Sequence, residues 1–91
     1  MSEVIGLKLS SGEEIISRVV ERNEDTIVLD RPNMVGLAPM KDGSVSIQLM
    51  PWLASNQDGQ PAVSLAHVVA EVAPALELEK GYLSKTSGIL V

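Results

Sequence analysis

Turn-forming residues cut this sequence at short, regular intervals, and the pieces between them alternate apolar with polar side chains at period two, a pattern that suits half-buried β-strands. Val4 to Leu9 sets Ile5, Leu7 and Leu9 on one face before the turn Ser10-Ser11-Gly12, where Gly12 is the structural turn residue. Glu13 to Arg22 carries Ile15 and Val19 on one face and Ile16 and Val20 on the other. Apolar residues on both faces fit a long, bent strand shared between two parts of a curled sheet. After the turn at Asn23-Glu24-Asp25, the β-branched run Thr26 to Arg31 is a third strand stopped by Pro32, which has no ladder donor; Asn33 to Met40 is a continuation beyond a kink. Lys41-Asp42-Gly43 is a hairpin turn. Ser44 to Trp52 then alternates Val45, Ile47 and Leu49, which point into the barrel or a subunit seam, with Ser46 and Gln48, which face outward. A polar loop over Ser55 to Pro61 leads to a fifth strand, Val63 to Val72.

The period then changes. Pro74 suits a first helical position, acidic Glu77 and Glu79 precede Lys80 and Lys85 in the order a helix dipole favours, and Ala75, Leu78 and Tyr82 form an apolar stripe flanked by Leu76 and Leu83. A helix over 74–87 is expected, with Gly88 as its stop. The 91 residues amount to a single domain whose barrel occupies about 4–72. Folding at this size hides only about 60–68% of the unfolded chain's surface, so a partner's help is expected. With no Phe, one Trp and one Tyr, the core is aliphatic.

Charge and side-chain inventory exclude several functions. Twelve acidic residues against seven basic give a net charge of -5, the reverse of a non-specific nucleic-acid binder, so any RNA contact has to be local. Without Cys there are no disulfides, thiolate metal sites or Cys nucleophiles. The single His67 lies in a strand with no motif-spaced nucleophile or carboxylate, which marks a packed or interfacial residue. Glu13-Glu14 and Glu24-Asp25 are solvated turn charges, and no Ca²⁺ loop, phosphate-binding loop or dinucleotide motif is present. No catalysis, metal or cofactor is expected. Trp52 is the one large aromatic, better suited to a strand end or subunit contact than to base stacking. Met1-Ser2-Glu3 lacks a basic leader and Val4 to Leu9 is too short to cross a membrane, so a cytoplasmic location with no membrane partner is expected.

The first three strands carry a more specific pattern. Leu7-x-Leu9-x-x-Gly12-x-x-Ile15-x-Ser17-x-Val19, followed by Ile27-x-Leu29, resembles the first Sm motif of the Sm/Lsm/Hfq family over roughly residues 4 to 31. The resemblance implies a small, strongly bent, five-stranded antiparallel Sm-like (SH3-like) barrel, mostly β, that assembles into a homo-oligomeric ring of about five to seven subunits. It implies a subunit interface drawn from Val45, Ile47, Leu49, Val63, Leu65, His67 and Val69. The family's RNA-contacting Asn aligns with Thr26 and its second-motif Arg-Gly falls near Leu65-Ala66, and neither can do the same job. The family's N-terminal helix is replaced by one at the C-terminal end. This acidic pattern with eroded RNA motifs is similar to the Sm-like proteins of phages, those of cyanophages in particular, which favours a pentamer, a scaffolding role and weak RNA binding. The alternative is a monomeric or dimeric SH3-like interaction module with no nucleic-acid role.

Overall fold

The computed structural model describes residues 3–87. They form a mostly β domain of six antiparallel strands followed by one helix: β1 (Glu3–Leu9), β2 (Glu14–Arg22), β3 (Thr26–Pro39), β4 (Val45–Pro51), β5 (Ala62–Ser64), β6 (Val68–Val72) and α1 (Leu76–Thr86). The sheet runs β4-β3-β2-β1-β6, with β5 also paired to β3.

Alternation builds the core. Leu7 stands opposite Ile15 across β1 and β2, and Ile5, Leu7, Leu9, Ile15, Ile27, Leu29 and Val63 form one buried cluster against which Val19, Trp52 and Val68 pack. Gly12, at φ 100° between β1 and β2, holds a backbone conformation that side chains disfavour, and its N–H closes the turn on Leu9 O at 2.9 Å.

The continuation expected beyond a kink at Pro32 is present, and both parts belong to one strand. β3 continues to Pro39 because the proline falls at a bulge, where the register with β2 jumps from Ile16↔Asn33 to Arg18↔Asp30 and Ser17 faces two residues, Arg31 and Pro32. Arg31 absorbs the extra residue by adopting φ 53°.

The fifth strand expected over Val63 to Val72 is two strands. Leu65–His67 forms one turn of 3₁₀-helix between them, capped by the Ser64 hydroxyl, which accepts from Ala66 N at 3.3 Å. β5 lies beside β3 and β6 beside β1, so this single turn draws the two sides of the sheet together and curls it. The ladder itself does not close, because β4 and β6 are not paired with each other.

The C-terminal helix is present but begins at Leu76, with Pro74 and Ala75 ahead of it and no side-chain cap. Tyr82 anchors it. Its ring is fully buried, and its hydroxyl donates to Asp30 O at 2.6 Å, lies 3.1 Å from Arg31 O and accepts from Arg18 N at 2.9 Å. These backbone groups flank the bulge between β2 and β3. The Arg18 guanidinium lies 5.3 Å from the Tyr82 ring centre and donates to Thr86 Oγ1 at 2.7 Å, while Arg31 donates to Thr86 O and Lys85 to Leu49 O. Thr86, in the helix's last turn, is itself buried.

Candidate functional site: two open edges and a tryptophan cleft

An edge strand carries unpaired backbone donors and acceptors, which soluble proteins usually shield. Here β4 and β6 are the terminal strands of the ladder, and both also expose aliphatic side chains. Val45 is 60% and Ile47 57% exposed on β4, and Val69 67% and Val72 58% on β6. The alternation of β4 therefore does not mark an inward face of the protomer: Val45 and Ile47 point away from its core and Leu49 is half-buried. The groove between β4 and α1 is lined by Val45, Ile47, Leu49 and Leu78. Of the other residues named for a subunit seam, Leu65, His67 and Val69 are exposed, whereas Val63 belongs to the protomer's own core.

The two segments in which the family resemblance locates RNA contacts do meet. Thr26 pairs with Ser64, and Leu65 N donates to Asp25 O at 2.9 Å. Yet residues 23–26 and 64–67 read Asn-Glu-Asp-Thr and Ser-Leu-Ala-His, with no Lys or Arg among them. The adjacent Arg22 is engaged by Glu71 at 2.7 Å and Glu3 at 3.1 Å. That pairing raises its pKa further above the ordinary arginine value and holds Glu71 below the usual carboxylate range. A phosphate would meet acidic side chains in this corner.

A second feature was not legible in the sequence. Trp52, Glu13 and His67 lie on three different segments, and all open onto one cleft of about 430 Å³ at the end of the sheet. Leu9, Leu53, Pro61 and Val63 line its apolar part. Trp52 Nε1 donates to Glu13 Oε2 at 2.8 Å, and Ser11 Oγ donates to Oε1 at 2.6 Å. The Ser11 hydroxyl foremost, and then the indole N–H, hold the Glu13 carboxyl below its ordinary pKa. Ser10 Oγ lies 3.5 Å from His67 Nδ1, too long for an activated nucleophile, and both side chains are exposed. Nothing in the sequence spacing links residues 39 positions apart, as Glu13 and Trp52 are; only the turn after β1 and the end of β4 bring them together.

Among the described residues no three His, Asp or Glu side chains converge as metal ligands, and no helix is long and apolar enough to cross a membrane. Comparison with protein-family models and with characterised proteins gives no match.

Proposed function

We propose that the chain is a non-catalytic, Sm-like barrel subunit that assembles head to tail into a homo-oligomeric ring and serves as a binding or scaffolding module in the cytoplasm. The observation that carries this reading is the pair of unpaired, aliphatic edges β4 and β6 at opposite ends of one curled ladder. An edge that pairs with the opposite edge of a neighbour makes a heterologous contact, and such a contact generates a ring when the rotation closes. Ladder pairing between subunits satisfies the free N–H and C=O groups and removes Val45, Ile47 and Val69 from water. The barrel is thereby continued from one subunit into the next. RNA binding is weak in this reading, because the corner formed by residues 23–26 and 64–67 is acidic.

Sedimentation velocity at micromolar concentration tests the proposal. The wild-type chain is expected as one species of about five to seven subunits. Ile47→Lys and Val69→Lys, which place a charge on either edge, are each expected to yield the 9.7 kDa protomer. A wild-type chain that sediments as a protomer overturns the ring. In that case the second reading, a monomeric SH3-like interaction module, is the one left, and the Trp52 cleft is the observation that favours it.

A further inference from the structure

The Trp52 cleft has a chemistry of its own, independent of whether the edges assemble. Its floor is aliphatic: Leu9 and Val63 are 6% and 8% exposed. One wall is the indole of Trp52. Glu13 supplies a carboxylate fixed by two donors, so that its charge is held in one place without waiting for a ligand to order it. Among the described residues no Lys or Arg lines the cleft. Lys8, which precedes the same turn, is drawn away to Gly12 O at 2.8 Å and to Glu14 at 3.9 Å. The volume lies within the range of small-molecule sites. An anion would face Glu13 with no counter-charge, and a wholly neutral apolar ligand would take water from that carboxylate without supplying an opposite charge.

We propose that this cleft is a binding site for a small organic cation, an alkyl- or aryl-substituted ammonium, whose apolar body lies on Leu9 and Val63 and whose charge sits beside the Glu13 carboxylate and against the indole of Trp52. The indole face attracts a cation through its ring quadrupole, and the carboxylate adds a Coulomb term at the same point. The Trp52 N–H bond to Glu13 fixes the orientation of the ring.

Trp52 is the only tryptophan in the chain, so its emission reports on this site alone. Titration of the full chain with benzyltrimethylammonium is expected to give a saturable change in that emission. Benzyl alcohol, of related shape but neutral, is expected to bind roughly 2- to 30-fold more weakly, the ratio that a cation–π contact supplies. Benzoate is expected not to saturate. Glu13→Gln keeps an acceptor for the Trp52 N–H and a donor for Ser11 Oγ, so the cleft retains its shape. This variant is expected to lose affinity for the cation while its affinity for benzyl alcohol stays unchanged. Binding of benzoate as tight as that of the cation, or equal cation binding by Glu13→Gln and wild type, overturns the proposal. So does a titration with no saturable response in a chain that circular dichroism shows to be folded.

Discussion

Tyr82→Phe isolates one hydroxyl at the junction of helix and sheet, and its cost can be worked from the partners that remain. Asp30 O keeps a bond from Ser17 Oγ at 3.1 Å, and Arg31 O keeps one from Asn33 Nδ2 at 3.1 Å. Arg18 N–H loses the hydroxyl acceptor to which it donates at 2.9 Å. The loss is therefore that of one donor's acceptor under a fully buried ring, about 1–3 kcal/mol. For a domain of this size that lowers the thermal midpoint by roughly 4–24 °C. Tyr82→Ala removes the ring as well, about 3–5 kcal/mol, a large share of the total of about 5–14 kcal/mol expected for such a chain. Urea unfolding followed by Trp52 emission gives both values, and amide exchange at Arg18 locates the lost bond. A Tyr82→Phe midpoint within about 0.5 kcal/mol of wild type, with the Arg18 amide still protected, would refute the assignment of the hydroxyl to the bulge.

Two further outcomes follow from other contacts. Arg31→Ala loses the guanidinium bond to Thr86 O and keeps a side chain at φ 53°, whereas Arg31→Gly loses the bond and releases the strain; Gly is expected to be more stable than Ala by roughly 1 kcal/mol in chemical denaturation, the reverse of their order in ordinary strands. Glu71 titrates below its ordinary value of 4.5 because Arg22 bonds its ionised form, so the stability this pair contributes is fully present above that value and is lost as pH falls through the depressed one. The stability difference between wild type and Glu71→Gln is expected to narrow in acid when the two are unfolded side by side at successive pH values.

What the sequence disclosed was local. The alternation of Ile5, Leu7 and Leu9, the turn at Gly12 and the change of period after Pro74 all depend on neighbours along the chain; the first two are found where the pattern set them, and the helix follows two residues later than Pro74, at Leu76. Alternation in β4 also marked a strand, but it states only that one face is apolar and not what that face meets; Val45 and Ile47 consequently stand outside the protomer's core. The break at Leu65–His67 was hidden because one turn of 3₁₀-helix is too short to impose a period on a run of Val and Ala. Pro32 marks a kink in the sequence, but the bulge that accommodates it is set by β2, whose register no single strand reveals. The cleft needed Trp52, Glu13 and His67 to be carried together by turns far apart in the chain. The same holds for the Tyr82 hydroxyl, which reaches Arg18 across 64 positions.

One edge of β3 is used almost from end to end. β4 covers Asn33–Pro39, Trp52 N bonds Pro32 O, Gly59 O and Pro61 O accept from Arg31 N and Leu29 N, and β5 covers Thr26–Val28. The ladder partner of β3 is thus a single track from which residues 53–58 depart and to which the chain returns, closed on itself by turns at Asn56 and Gly59. Ala54 to Asp58 are exposed. Because lengthening such an excursion costs only about 0.6 kcal/mol per doubling, this is where the chain could take on added sequence, even a grafted epitope or a second module, without disturbing the sheet. Gly59 to Pro61 could not change so freely, since their carbonyls stand in for a strand. The excursion also borders the Trp52 cleft through Leu53. Divergence at this one place could reshape a ligand site while leaving the scaffold untouched.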